Sequence, residues 1–179
     1  MATGPATQQT IDWPHAVHTV LNRANVTQVA YVPDAGHSRL IQLCHDDRSM
    51  TTVPLTTEEE GIGLAAGAWL GGKRAALLMQ SSGVGNCINT LSLIRVCGFP
   101  LLMLVTMRGE WGEFNPWQVP MGQNTRAVLE LCGVVVHHVA APDAVGDTVA
   151  AAARLAFDSS VAVAVLISQR LIGTKSFKE

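Results

Sequence analysis

Residues 57–91 read TEEEGIGLAAGAWLGGKRAALLMQSSGVGNCINTL, and this stretch decides the fold. Three glutamates precede an apolar run that ends at two glycines, and a second apolar run at 74–80 leads into a glycine-rich turn. The first run has the acidic first turn and the length of a helix, whereas the second has the length of a buried strand. The pattern predicts a helix, a strand and another helix in direct succession.

The same alternation extends along the chain. Short β-rich runs lie at 26–32, 50–55, 74–80, 99–107, 133–139 and 161–168. Segments of helical length separate them, including 12–25, where Asp12 is a candidate cap, and the Ala-rich 142–158. Continuous apolar strands joined by crossover helices predict a doubly wound α/β fold, with a six-stranded, mainly parallel sheet and helices on both faces. No repeat or linker divides the chain, so we expect one domain over 1–179 with its core at about 14–170.

The composition is short of charge. Hydrophobic residues make up 48% of the chain and charged residues only 15%, compared with roughly 25% charged in a typical soluble domain. No apolar run reaches the ~18 residues of a membrane-spanning helix, so a buried protein interface is the better explanation. The net charge of -2 without a basic cluster argues against a nucleic-acid partner. The start MATGPATQQT has neither a basic end nor an apolar core, which predicts a cytoplasmic protein without a secretory signal.

Cysteine and histidine show no metal-binding spacing. Cys44, Cys87, Cys97 and Cys132 form no C-x-x-C pair, so we expect reduced core cysteines and no metal bound by this chain. We interpret His15, His18, His137 and His138 as structural, the last two because their strand lies far from the loops described next.

Four loops follow the first four predicted strands, where ligands bind in open parallel sheets. They read PDAGHS at 33–38, LTTEEEG at 55–61, SSGVGN at 81–86 and RGEWGEFNPWQVPMGQ at 108–123. Asp34 and His37 are polar groups at this edge, although Asp34 also suits a plain turn. SSGVGN either offers amides and hydroxyls to an anion or a ring, or is only a strand-to-helix turn.

The glutamates at 58–60 have two separate explanations. Thr57 and Glu60 have the spacing of a capping box. The residues behind them are apolar on every helical face, so we expect a helix buried all round and one glutamate in a dry environment that tunes its proton affinity.

Three strings together carry a resemblance to a known family: 57–91, YVPDAGH at 31–37 and FPLLMLVTMRGEWGE at 99–113. Over about residues 14–170 the chain resembles the pyrimidine-binding domain of thiamine diphosphate-dependent 2-oxo acid decarboxylases. It looks most like the alpha subunit of sulfopyruvate decarboxylase and the matching part of phosphonopyruvate decarboxylase. The resemblance implies thiamine diphosphate as cofactor and conversion of 3-sulfopyruvate, or 3-phosphonopyruvate, to an aldehyde and CO2.

The resemblance also assigns cofactor contacts. The family's glutamate lies nine residues before the glycine of AAG, here Gly67, which places it at Glu58, with Glu59 as second choice. In the family this glutamate hydrogen-bonds N1′ of the aminopyrimidine and activates the coenzyme, so Glu58 is the expected catalytic residue. Further cofactor contacts are expected from the turn after the third strand, at Ser82, Gly83, Gly85 and Asn86.

The substrate contacts implied by the resemblance lie in two loops. Asp34 and His37 are expected at the substrate, with His37 also catalytic, and Gln118 supplies a polar contact from the fourth loop. Arg108 either positions this loop or pairs with the acid group of the substrate. Glu110 and Glu113 would repel an anionic substrate if they faced it.

One family element is missing from the chain. The diphosphate and magnesium motif is GDG with an Asn some twenty-five to thirty residues onward, but here Gly146 and Asp147 are followed by Thr148 and no Asn follows Asn124. The resemblance therefore implies a separate beta subunit that carries GDG…N and binds Mg2+, in an α2β2 or larger heteromer. Such a partner also accounts for the sparse charge.

Two alternative functions are also compatible with the sequence. The same cofactor supports carboligation, as in acetolactate synthase. A non-catalytic binding or regulatory module, whose SSGVGN turn holds a nucleotide or shapes an interface, predicts no thiamine diphosphate binding at all.

Overall fold

The computed structural model describes residues 11–174. Its strands are β1 (Val26–Tyr31), β2 (Thr51–Pro54), β3 (Arg74–Gln80), β4 (Leu101–Thr106), β5 (Val135–Val139) and β6 (Ala162–Ile167). Its helices are α1 (Trp13–Arg23), α2 (Ser38–Asp46), α3 (Glu58–Leu70), α4 (Ser81–Cys87), α5 (Ser92–Cys97), α6 (Val119–Leu131), α7 (Val145–Ser159) and α8 (Gln169–Ile172). Short 3-10 helices occupy Pro116–Gln118 and Pro142–Ala144.

The six strands form one sheet in the order β2-β1-β3-β4-β6-β5, and every pair is parallel. This confirms the predicted doubly wound fold, and each observed strand lies within two residues of its predicted ends. The central strands β4 and β6 are buried along their whole length, as continuous apolar runs require. The one-domain boundaries 1–179 stay a prediction, since 1–10 and 175–179 lie outside the described residues.

The sheet separates two helical layers. Helices α1, α2 and α7 pack on one face around Leu21, Leu40 and Val149. Helices α3, α4, α5 and α6 pack on the other face, where Ile62 and Leu129 are fully buried. Within the second layer α4 lies between α3 and α6 and contacts both.

The two predicted helix starts have different outcomes. Asp12 caps α1 as predicted, since its carboxylate accepts from the His15 backbone amide at 3.4 Å. Thr57 precedes α3 but its side chain makes no capping bond. The Glu60 carboxylate instead accepts from the backbone N–H of Thr56 at 3.0 Å and from its hydroxyl at 2.7 Å. The capping-box prediction was therefore wrong in its partners.

Helix α3 is not buried on every face in the part of the chain that the structure describes. The expectation of a helix buried all round was therefore wrong for this chain alone. Ile62 and Ala65 face the sheet, but Gly63, Gly67 and Leu70 lie on the outside, and Leu70 is 88% exposed. A Cβ atom added at Gly63 or Gly67 would meet nothing within 4 Å. The outward side of α3 is thus apolar, narrow and uncovered by this chain.

The four cysteines are free. Cys44 and Cys87 are core residues, and burial raises the pKa of both thiols to about 12. Cys97 is exposed and Cys132 half-buried, so the expected core position fails for Cys97. Between residues 11 and 174, no group of three or more His, Cys, Asp or Glu is arranged to hold a metal ion, and no helix is long and apolar enough to cross a membrane.

Candidate active site at the carboxyl edge of the sheet

Glu58 is the first residue of α3, and its side chain turns inward to α4. The residue is 8% exposed, whereas Glu59 is exposed. Its Oε2 accepts a hydrogen bond from Nδ2 of Asn86 at 2.8 Å. A Cβ atom at Gly83 would overlap the Glu58 carboxyl group, so glycine at this position allows the observed orientation of Glu58. Of the two candidates, Glu58 has the partly buried, oriented carboxylate.

Asp34 joins the ends of three neighbouring strands. Its Oδ2 accepts from the Thr106 hydroxyl at 2.6 Å and from the Gly36 amide at 3.1 Å, and its Oδ1 accepts from Gln80 Nε2 at 3.1 Å. Gln80 in turn accepts at Oε1 from the Ser82 hydroxyl at 3.0 Å. The network links the loop after β1 to the first turn of α4 and fixes both Asp34 and Ser82. The predicted turn SSGVGN is therefore helical, because α4 begins at Ser81, directly after β3.

His37 lies beneath this edge. Its side chain has no exposed surface, and its Nε2 lies 3.0 Å from the Leu104 carbonyl oxygen. Burial lowers its pKa, against the opposing charge of Asp34, so the imidazole is neutral at pH 7. Its Nδ1 has no hydrogen-bond partner in the described residues. The catalytic role of His37 stays a prediction, and the buried position favours an indirect role in holding the Asp34 turn.

Arg108 is engaged by an acid of its own loop. Its Nε and Nη2 each donate to the Glu113 carboxylate at 2.6 Å, and both side chains are almost fully buried. The guanidinium, aided by the Asn115 amide and Gln169, lowers the pKa of Glu113 to about 2, although burial opposes this. Because Glu113 engages the guanidinium, the geometry favours the alternative in which Arg108 positions the loop. The contact of Arg108 with the substrate stays a prediction.

The loop after β4 is also tied to the end of β6. Gln169 Nε2 donates to Glu113 at 2.9 Å, and Glu110 Oε1 accepts from the Ser168 hydroxyl at 2.6 Å. The other Glu110 oxygen lies 3.6 Å from His138 Nε2. Glu110 and Glu113 therefore face protein partners, and His138 lies next to this loop, which corrects the expectation that it is remote.

Gln118 ends the 3-10 helix of the same loop. Its Oε1 is buried without a hydrogen-bond partner in the described residues. Gly109, at φ +79°, lets the chain pass against the Gln118 backbone carbonyl, where a Cβ would clash.

A cavity of about 630 Å³ is bordered by Trp117, the residue before Gln118, and Trp117 is 80% exposed. The cavity is lined by Ser82, Gly85, Asn86, Pro116, Trp117, Pro120 and Met121.

The structure thus brings most of the predicted residues to one edge, in two groups. Glu58, Gly83 and Asn86 form one group beside the cavity that Ser82 and Gly85 also line. Asp34 belongs to the hydrogen-bonded network that reaches Ser82. The supporting residues Gln80, Thr106, Ser168 and Gln169 were not predicted. The first two end β3 and β4, so their position at the carboxyl edge was the available signal.

Residues 12–123 match the family described as the N-terminal TPP binding domain of thiamine pyrophosphate enzymes. The chain belongs to this family.

Three individual relatives show which members of the family this chain is similar to. The chain is 37% identical over 153 residues to the sulfopyruvate decarboxylase subunit alpha of Methanococcus maripaludis, covering 85% of this chain and 92% of the relative. The subunit alpha of Methanocaldococcus jannaschii is 34% identical over 152 residues, covering 84% and 90%. A phosphonopyruvate decarboxylase of Streptomyces viridochromogenes is 38% identical over 114 residues, which are 63% of this chain and 29% of that protein.

A solved structure agrees at the level of the fold. The 2-oxoglutarate:ferredoxin oxidoreductase from Magnetococcus marinus superposes with a TM-score of 0.68 at 13% identity. The match covers 89% of this chain, which spans 29% of that one. The likeness shows a shared fold.

The described residues fit one half of thiamine diphosphate. Glu58 presents a carboxylate with one oxygen held by Asn86, and no described donor reaches the other oxygen. The adjoining cavity is apolar on the side of Met121 and Trp117, as a flat ring requires. For a magnesium diphosphate the described residues provide no cluster of acidic ligands.

Proposed function

We propose that this chain is the alpha subunit of a thiamine diphosphate-dependent 2-oxo acid decarboxylase acting on 3-sulfopyruvate or 3-phosphonopyruvate. The single observation that carries the proposal is the Glu58 carboxylate, inward-facing and oriented beside a cavity at the carboxyl edge. The subunit alpha relatives at 34 to 37% identity support the sulfonate, and the Streptomyces phosphonopyruvate decarboxylase keeps the phosphonate open.

In this proposal Glu58 holds or releases a proton at its free oxygen toward a ring nitrogen of the pyrimidine. Thiamine diphosphate, when bound, supplies the nucleophilic carbon and the electron sink for loss of CO2. Ser82, Gly85 and Asn86 line the space next to Glu58, and Gly83 allows the carboxyl group to lie against α4. Ser82 and Gly85 shape the space for the cofactor, and Gly83 and Asn86 lie against the Glu58 carboxyl group.

The substrate side of the site is built on fixed supports. The network of Thr106, Gln80 and Asp34 holds the Asp34 carboxylate at the edge, and the Arg108–Glu113 pair holds the loop that carries Gln118. Gln118 has an unpartnered amide oxygen, so it is free to accept a hydrogen bond. We infer that Asp34 and Gln118 contact the substrate and that a cation for its sulfonate or phosphonate comes from outside this loop.

The partner in this proposal is a beta subunit that carries GDG…N and holds Mg2+ with the diphosphate, in an α2β2 or larger assembly. Support comes from the relatives named subunit alpha. A second support is the α3–α6 layer, whose outward side chains Leu70, Val96 and Leu131 are large, apolar and exposed. The layer begins at Glu58, so a subunit that covers it also encloses the site.

Two matched variants test the proposal in the presence of the beta subunit. We expect Glu58→Gln to lower the rate of CO2 and aldehyde release by about 100-fold or more, because an amide cannot replace a proton-transferring carboxylate. Glu59→Gln removes the same charge from the exposed neighbour and is expected to keep the wild-type rate. Full activity of the Glu58 variant contradicts the assignment.

The products separate the alternatives. Hydroxyketone formed in place of free aldehyde identifies carboligation. Calorimetry that detects no thiamine diphosphate binding by the two-subunit mixture identifies a non-catalytic module and rejects the proposed function.

A further inference from the structure

Asn86 touches the candidate catalytic carboxylate directly. It lies in α4, 28 residues from Glu58 at the start of α3, and its Nδ2 donates to Oε2 of Glu58 at 2.8 Å. The contact therefore joins two helices at the point where the site opens into the cavity.

Gly83, one turn earlier on the same helix, also lies against the carboxyl group. A side chain there would overlap Cγ, Cδ and Oε1 of Glu58. One helix thus supplies both a hydrogen-bond donor and a contact surface. With Oε2 engaged by Asn86, Oε1 is the oxygen that receives no bond from the described residues.

We propose that Asn86 is a positioning residue that acts through Glu58, rather than a direct contact of the cofactor. The inference rests on the proposed function only in that Glu58 faces the cofactor. A glutamate has three rotatable side-chain bonds, and fixing them before binding removes an entropic cost from the bound state. A donor that engages Oε2 also leaves Oε1 as the oxygen available for a further hydrogen bond.

A double-mutant cycle on thiamine diphosphate affinity tests this, with the beta subunit present. We expect Asn86→Ala to weaken binding by about tenfold, because the Glu58 side chain must then be ordered when the cofactor binds. In a Glu58→Ala background the same change is expected to cost less than about twofold, because its target is gone. If Asn86 contacts the cofactor itself, the two losses multiply, and that result overturns the inference.

The pH dependence of thiamine diphosphate binding gives a second test, because a purely structural role of Asn86 would leave it unchanged. Asn86→Asp places a second carboxylate against Glu58, and like charges oppose ionisation, so the profile is expected to shift to higher pH. Asn89→Asp adds the same charge three residues further on, at an exposed position beyond the end of α4, and is expected to keep the wild-type profile. Of the other titratable groups nearby, Glu59 is exposed and Cys87 stays protonated, its pKa raised to about 12 by burial. Identical profiles for the two Asp variants contradict the proposal.

An experiment on the chain alone separates failure of the positioning inference from failure of the proposed function. Urea unfolding of the wild type, both Ala variants and the double variant measures the coupling of Glu58 and Asn86 without cofactor or partner. If the mixture binds no thiamine diphosphate but the coupling is present, the proposed function fails and the positioning contact stands. Absence of coupling in unfolding rejects the contact and the inference with it.

Discussion

The two helical layers of this protein have different outer surfaces. On the layer of α1, α2 and α7, the large outward side chains are polar. One example is Asp47, whose carboxylate accepts hydrogen bonds from Asn22 and Ser49 and lies 3.0 Å from His18 Nε2. On the layer of α3 to α6, the outward side chains include large apolar ones. Large hydrophobic residues that are exposed within helices α3 to α6 are Leu70, Leu93, Val96 and Leu131, and among residues 11–174 none lies within α1, α2 or α7.

The scarcity of charge is therefore local. Between Gly61 and Ile94 the only charged residues are Lys73 and Arg74, which lie at the start of β3. Helix α3 beyond its first turn and the whole of α4 carry no charge. Contiguous apolar surface of this kind marks a binding face, whereas the other layer is complete in the chain alone. The candidate site opens at the end of the uncovered layer.

The largest expected effect comes from placing a charge on the uncovered layer. Leu70→Glu leaves the chain folded, because Leu70 is 88% exposed, but it puts an unpaired carboxylate into the proposed interface. We expect association with the beta subunit to weaken by about 100-fold, or about 2.7 kcal/mol. Analytical ultracentrifugation of the mixed subunits measures it.

The matched control adds the same charge to the other layer. Ala151 is exposed on α7, and Ala151→Glu is expected to leave association unchanged. Equal weakening by both variants, or by neither, removes the distinction between the layers.

A smaller effect is expected at Gly67, where one substitution should raise the stability of the chain and lower its affinity for the partner. Its Cβ position is empty in the chain alone, so Gly67→Ala gains about 1 kcal/mol in unfolding free energy from helix propensity. If the partner's backbone approaches this helix closely, the added methyl group lowers its affinity by about tenfold. Chemical denaturation of the chain and titration with the partner give the two numbers.

Gly146→Ala, in α7, is the control for that test. Its Cβ would lie 3.3 Å from Ala16 within the chain itself. We expect no change in partner affinity, and a loss equal to that of Gly67→Ala would show that glycine substitution alone weakens the assembly.

Most of the fold was predictable because strand and helix lengths are local properties of the sequence. The six apolar runs became six parallel strands, and Asp12 caps α1. The position of Glu58 followed from the resemblance, but the roles of its neighbours did not, because they depend on contacts across the sheet. Arg108 and Glu113 are five residues apart, and no spacing rule shows that they neutralise each other in a buried pair. The sequence predicted that every face of helix α3 is buried, but one face is exposed in this chain. A single sequence does not distinguish a core residue from one on a surface that another chain covers.

The smallest expected effect concerns acid stability and belongs to the complete layer. Hydrogen bonds from Ser49, then from Asn22 and His18, lower the pKa of Asp47 from 3.8 to about 2. A lowered carboxyl pKa stabilises the fold above about pH 4, and the contribution is lost as the pH falls toward 2. We expect Asp47→Asn to flatten the pH dependence of unfolding in that range, as followed by circular dichroism. An unchanged slope contradicts the contribution of Asp47.

Hydroxyl-radical footprinting of the chain, alone and with its beta subunit, tests the central claim most directly. The account predicts that Leu70, Val96 and Leu131 react in the free chain and become protected in the mixture, because the partner covers the α3–α6 layer. His15 on α1 and His45 on α2 are exposed and are predicted to react equally in both samples. Protection of the two histidines while the three apolar residues stay reactive would contradict the account.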